Sequence, residues 1–205
     1  MRGEVFRGGP EANLPEGLPS TFSYGQARVS GLSERQLYRL RDTGTIARIG
    51  RGLFQRVGDD LPDGDPDLVE IAHRAPRATL CLITGLARHD LTDIIPAAID
   101  VALPRGVRHP RVEVPVAWHS FASATFDIDR EQLPVTDGLT IGIYGPQRCI
   151  VDAFRLRHQE GDDVAVEALR RWLRQPGAQP GRLLAMAGHF PKAQPALRAA
   201  LQVLL

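Results

Sequence analysis

"GLSERQLYRLRDTGTIARIGRGLFQR", residues 31–56, settles how the first part of the chain folds. Ser33 is placed to cap a helix, since its hydroxyl accepts a free backbone N–H while Gln36, three residues on, reaches back in capping-box spacing. Along that helix Leu37 and Leu40 fall on one stripe, whereas Arg35, Tyr38 and Arg39 point the other way at about 100° per residue. Gly44 tolerates the left-handed conformation that ends a helix. "TIARIGRGLFQRV" then offers two short apolar strands around the turn Gly50-Arg51-Gly52. Upstream, "TFSYGQARVSG" predicts a short helix from about Ser23 to Ser30, with Phe22, Ala27 and Val29 available to a core and Gly31 as its stop. Helix, tight turn, helix and hairpin in this order spell a winged helix-turn-helix.

Charge gives that segment its direction. Seven arginines (Arg28, Arg35, Arg39, Arg41, Arg48, Arg51, Arg56) stand against two acids (Glu34, Asp42), a local net of 7 − 2 = +5 in a chain whose formal net charge is +1. A surface built for ion pairs intersperses both signs, so the scarcity of acids weighs against a merely solvated face. The second helix has the width to enter a DNA major groove, where Arg35, Gln36 and Arg39 donate to phosphates or base edges. Arg51 at the hairpin tip reaches an adjacent minor groove, and Arg48 and Arg56 lie along the phosphate backbone. Arg28, Ser33 and Tyr38 complete the expected DNA-binding set.

The whole chain sets the frame. Its 205 residues hold one ordinary domain or two small ones, and 43% hydrophobic residues supply a core. No run of about 18 apolar residues exists to cross a bilayer, and residues 1–20 lack the apolar stretch of a secretory signal, so the expectation is a cytoplasmic protein with no membrane partner. Residues 1–20 hold four glycines and three prolines, a weak encoding for the helix that normally precedes a helix-turn-helix. "GDDLPDGDPD", Gly58 to Asp67, carries five aspartates with glycine and proline and reads as a solvated linker. The chain is therefore read as α+β: an N-terminal winged helix-turn-helix at about residues 20–58, then a larger mixed α/β domain at about 66–205 whose C-terminal half is helical.

"GLSERQLYRLRDTGTIARIGRGLFQ" also resembles the N-terminal segment of AbiEi-type antitoxins, down to the turn Arg51-Gly52-Leu53-Phe54. "TLCLITGLARHDLTDIIPAAIDVALPRGVRHPR", "YGPQRCIVDAFRLRH" and "AVEALRRWL" are similar to the family's later strands and helices, so the resemblance runs over roughly residues 22–205. It implies a repressor of its own toxin–antitoxin operon, bound to double-stranded DNA at an inverted repeat. It also implies a larger domain that opposes a nucleotidyltransferase-like toxin, with direct contact between the two left open. A ligand-sensing winged-helix regulator and a DNA nuclease are the alternatives.

In the larger domain Leu68, Val69, Ile71 and Ala72 share one side of a short helix that stops before Pro76. "ATLCLIT" is a buried strand or the start of a helix that continues from Gly85 to Leu91, and "AIDVALP", "RVEVPVAW", "ASATFDI" and "LTIGIYG" read as strands. From Pro146 onward only helices are expected, with stripes at Ile150, Val151 and Phe154, at Ala165, Leu169, Trp172 and Leu173, and at Leu183, Leu184, Leu197, Leu201 and Leu204. No catalytic set emerges. Asp100 supplies one acid of a nuclease, but the acid-x-lysine partner is missing, because the only lysine is Lys192. The six histidines lack the i, i+4 or HxH spacing of a metal site. Cys81 and Cys149 form no CxxC pair and read as reduced and buried. No metal or cofactor is called for. Arg148 and Asp152, at i and i+4, read as a surface ion pair worth a few tenths of a kcal/mol. "PRGVRHPR" places Arg105, Arg108 and Arg111 on a basic loop, a candidate auxiliary contact for nucleic acid or a partner.

Overall fold

Separate hydrophobic clusters are buried in the N-terminal part and in the larger remainder of the described residues. The computed structural model describes residues 14–57, 65–136 and 138–205, so residues 1–13 and most of the acidic segment 58–67 lie outside the described residues. The chain divides into a smaller unit of N-terminal residues to Pro66 together with the short segment Thr136–Gly138, and a larger one comprising Asp67–Val135 and Leu139–Leu205.

The smaller unit runs β1 (Thr21–Ser23), α1 (Tyr24–Val29), α2 (Glu34–Asp42), β2 (Ile46–Gly50) and β3 (Leu53–Arg56). Its sheet has the order β1-β3-β2, with both pairings antiparallel. The element expected before the helix pair is thus a strand among the described residues, and it opposes Phe22 to Phe54, whose rings stack at 6.1 Å. Leu18, Phe22, Ala27, Leu32, Leu37, Leu40, Ile46 and Phe54 form one buried cluster. Val29 is not part of it: the residue is 90% exposed. At 100° per residue it stands about 200° around the helix from Ala27, so burying Ala27 turns Val29 to solvent.

The larger unit continues with α3 (Pro66–Arg74), β4 (Thr79–Leu80), α4 (Leu82–Arg88), β5 (Ile99–Pro104), β6 (Val116–Phe121), α5 (Ser123–Phe126), β7 (Arg130–Thr136) and β8 (Leu139–Tyr144). Helices α6 (Pro146–Arg155), α7 (Arg157–Glu160), α8 (Asp162–Leu173), α9 (Pro180–Ala187) and α10 (Gln194–Leu204) follow. The sheet order is β6-β5-β4-β8-β7; β4 runs antiparallel to β5 and parallel to β8, while β5 and β6 are parallel. "ATLCLIT" turns out to be both a strand and a helix start. Gly85 is what lets α4 approach α6, because a Cβ there would stand 2.7 Å from the Cys149 sulfur.

Three expectations for this unit are corrected. "ASATFDI" forms the single helical turn α5, which drops Phe126 into the core and lets the Ala122 carbonyl accept from the Thr125 amide at 3.1 Å. "RVEVPVAW" becomes a strand only from Val116, since the Glu113 amide is held by the buried Glu70 carboxylate at 3.1 Å and Pro115 has no amide to give a ladder. The unexpected strand is β7, "REQLPVT", which lies at the sheet edge, where a proline is tolerated.

The fourth correction concerns Arg148 and Asp152, which are 0% exposed rather than on a helix surface. Arg148 Nε donates to Asp152 at 2.8 Å, and its Nη1 donates to the carbonyls of Thr125 and Ile128 at 2.8 Å each. The guanidinium carbon sits 4.2 Å from the Tyr144 ring centre and 4.3 Å from that of Phe190. Desolvation holds the Asp152 carboxyl above its ordinary range, against the pull of Arg148 and Arg155. Cys149 and Cys81 are free and buried, and burial likewise pushes the Cys149 thiol up.

Arg148→Ala leaves the buried Asp152 carboxylate with Arg155 as its remaining counter-charge and removes the side-chain donor to the Thr125 and Ile128 carbonyls. Denaturant unfolding of this variant is expected to show a loss of about 3 to 5 kcal/mol; a loss near that of a surface ion pair would contradict the role assigned to Arg148.

Candidate nucleic-acid interface

The orientation of α2 is fixed at both ends by local hydrogen bonds. At its start the Ser33 amide donates to Gln36 Oε1 at 2.9 Å, and the Gln36 amide returns a bond to Ser33 Oγ at 3.3 Å. α1 begins the same way, with Ser23 and Gln26 exchanging bonds of 2.8 and 3.1 Å. Both helices also end alike. Gly31 and Gly44 adopt φ of +89° and +75°, and the next residue's amide returns to the helix, Leu32 to Ala27 and Thr45 to Leu40, at 2.9 Å each. Two short helices with matched starts and stops give the tight turn in which Leu32 is buried and α2 is set against α1.

Leu37 and Leu40 are each 1% exposed, so the polar side of α2 faces out. Arg35, Gln36 and Arg39 are exposed, and Tyr38 is 41% exposed between them. Arg28, in the last turn of α1, is exposed as well. Beside the helices, β2 and β3 make the hairpin, closed by Arg51 and Gly52 and irregular between Arg48 and Gly50. Arg48 Nε donates to the Gly50 carbonyl at 3.0 Å, and the Gly52 carbonyl accepts from the Tyr24 amide at 2.8 Å, tying the hairpin tip to the start of α1. Arg48 and Arg51 are both exposed.

The seven-arginine set divides on inspection of partners. Arg56 is half-buried, and its Nη2 donates to the backbone carbonyls of Leu18 at 3.0 Å and Pro15 at 3.4 Å. It thereby ties β3 to the segment that precedes β1. Arg41 forks onto Asp42 at 2.9 and 2.7 Å and lies 4.8 Å over the Tyr38 ring, so its charge is met within the helix. Ser33 is spent on its cap, and Gln36 keeps only its amide NH2 for other partners. Arg28, Arg35, Arg39, Arg48 and Arg51 are exposed, as is Tyr38.

The auxiliary set divides too. Arg105, Arg108 and Arg111 are all exposed on the connection between β5 and β6, but the Arg105 amide is pinned to the Phe121 carbonyl at 2.7 Å, and only Arg105 borders a cleft in the larger unit. On the same connection His109 stacks on Trp118 at 5.6 Å and meets Ser120 Oγ at 3.2 Å. Asp100, the acid considered for nuclease chemistry, is buried and has both oxygens engaged. Thr84 donates to Oδ2 from its amide and hydroxyl at 3.3 Å, and His119 Nε2 donates to Oδ1 at 3.0 Å. Sequence reasoning missed this cluster, because Thr84 and His119 are separated from Asp100 by 16 and 19 residues. Among the described residues no group of three or more His, Cys, Asp or Glu is placed to hold a metal, and no helix is long and apolar enough to cross a membrane.

Residues 16–57, which span both helices and the complete three-stranded sheet, match a family described as transcriptional regulators, AbiEi antitoxin. No curated protein matches the chain. Among solved structures the chain is similar to that described as the crystal structure of RV2827C protein from Mycobacterium tuberculosis, with a TM-score of 0.49, 16% identity, and 90% of this chain and 76% of that chain covered.

Because Ser33 sets the start of α2, Ser33→Ala is expected to destabilise the smaller unit by about 1 kcal/mol in thermal or denaturant unfolding. A change indistinguishable from zero would mean that the capping box does not hold α2.

Proposed function

Starting from an N-terminal unit that carries the AbiEi antitoxin transcriptional-regulator segment, we propose that the chain binds double-stranded DNA through α2 and the hairpin and represses the operon that encodes it. The observation that carries this reading is the division of α2. Leu37 and Leu40 are locked into the core, and Arg35 and Arg39 are thereby presented outward from a helix rigid at both ends. Arg35, Gln36 and Arg39 read base edges in the major groove, where a guanidinium pairs well with guanine and an amide with adenine. Arg28, Arg48 and Arg51 lie against phosphates, where each neutralised charge releases counterions. One helix and one hairpin cover few base pairs, so two molecules occupy an inverted repeat, with half-sites about one helical turn or a multiple apart.

The larger unit carries the second activity, opposition to a nucleotidyltransferase-like toxin encoded alongside. Support comes from the resemblance of its sequence to AbiEi-type antitoxins and from its separate core, built on α4, α6, α8, α9 and α10 with Ala102 of β5, Phe121 of β6, Phe126 of α5 and Tyr144 of β8. That core uses none of the residues that make α2 cationic.

The full-length variant with Arg35→Ala and Arg39→Ala tests both parts. Operator affinity is expected to fall by roughly 1 to 3 kcal/mol for each base edge no longer read, and repression with it. Protection from the toxin, with the variant supplied from an independent promoter, is expected to persist. Wild-type-like operator binding would remove α2 from the interface; loss of protection together with repression would show that the two activities are one.

A further inference from the structure

The larger unit contains a cleft of about 520 Å³ bordered by residues from four places in the fold: Arg105 after β5, His119 and Phe121 of β6, Arg155 and His158 around the end of α6, and Lys192 between α9 and α10. Three of these side chains are permanent cations, and no described carboxylate borders the cleft. The acids stand behind it. Buried Asp100 holds His119 Nε2 at 3.0 Å, which leaves Nδ1 as the ring nitrogen able to meet a ligand. Buried Asp152 faces Arg155 Nη2 at 2.9 Å, an ion pair lacking hydrogen-bond geometry, while Phe121 supports the same guanidinium at 4.4 Å. Each carboxylate thus orients a cationic or donor group from the rear, as outer partners orient ligands in metal and anion sites. The Nε and Nη2 of Arg155 are buried without a hydrogen-bond acceptor among the described residues.

We propose that this cleft is a binding site for a small phosphorylated molecule. Its volume falls within the roughly 300 to 1,000 Å³ of small-ligand sites, and guanidinium and ammonium groups are the residues of phosphate recognition. The phosphate sits between Arg105 and Lys192, with the exposed part of Arg155 and Nδ1 of His119 completing its shell. A small ligand fits better than a nucleic-acid backbone, because the cations converge on one hollow from separate elements. A backbone requires a row, and Arg108 and Arg111, which would extend one, do not border the cleft. This site stands apart from the DNA-binding reading and does not rest on it.

The test is calorimetric titration of the full chain with inorganic phosphate, pyrophosphate and 5′-AMP at constant ionic strength. Saturable one-site binding of at least one probe is expected, weakened about tenfold or more, a change of about 1.4 kcal/mol, by Arg105→Gln combined with Lys192→Gln. Both positions are exposed, so the fold is retained. Arg108→Gln combined with Arg111→Gln is expected to leave binding unchanged. Absence of saturable binding, or equal weakening by both variant pairs, overturns the proposal. So does a result in which only a DNA duplex, and none of the small phosphates, responds to the Arg105 and Lys192 exchanges.

Discussion

A guanidinium with no exposure stands at the centre of the larger unit. Burying a permanent cation calls for partners to its donors and a nearby counter-charge, and Arg148, whose Nη2 is buried without a hydrogen bond among the described residues, meets this through Nε and Nη1 by recruiting parts distant in the chain. It takes the carboxylate of Asp152 one turn along α6, the carbonyls of Thr125 and Ile128 on either side of the end of α5, and the rings of Tyr144 and Phe190. The end of β8, the connection from α5 to β7 and the segment before α10 are thereby referred to a single side chain. Tyr144 is fixed in turn, its hydroxyl donating to the Phe126 carbonyl at 2.9 Å, and burial keeps that phenol well above its ordinary range.

The smaller unit uses the same residue type in the opposite way. There the apolar stripe of α2 goes inward, and the capped helix itself holds Arg35 and Arg39 outward. The two uses have different consequences. A buried arginine fixes geometry and responds to substitution through stability, while an exposed one on a rigid helix responds through partner affinity. Arg155 stands between these cases, braced by Asp152 and Phe121 on one side and facing the cleft on the other.

How much of this the sequence reveals follows the range of the interactions. Capping boxes, glycine stops and the Leu37–Leu40 stripe involve residues three to five apart, and all are legible in the chain. The family match over residues 16–57 agrees with the resemblance read there. Arg148 and Asp152 also have legible spacing, yet i, i+4 describes a surface pair and a buried pair equally well; burial depends on Tyr144 and Phe190, which no local pattern connects to them. The inward turn of Arg56 is hidden for the same reason, since its partners Pro15 and Leu18 lie 41 and 38 residues away. Asp100 with Thr84 and His119, and the cleft beyond them, are assembled only when β5 and β6 pair in register. The α5 turn and strand β7 are obscure in the sequence because short segments near sheet edges carry weak periodicity.

Outward arginines of α2 and the hairpin, and not the arginine turned inward, are the groups that meet DNA in this account. The salt dependence of operator affinity tests that claim most directly, measured for the wild type, Arg51→Ala and Arg56→Ala. Affinity is expected to fall linearly with salt on logarithmic axes, with Arg51→Ala making the slope shallower by about one, and with Arg56→Ala leaving the slope unchanged while lowering the stability of the smaller unit. An unchanged slope for Arg51→Ala, or a shallower one for Arg56→Ala at full stability, would contradict it.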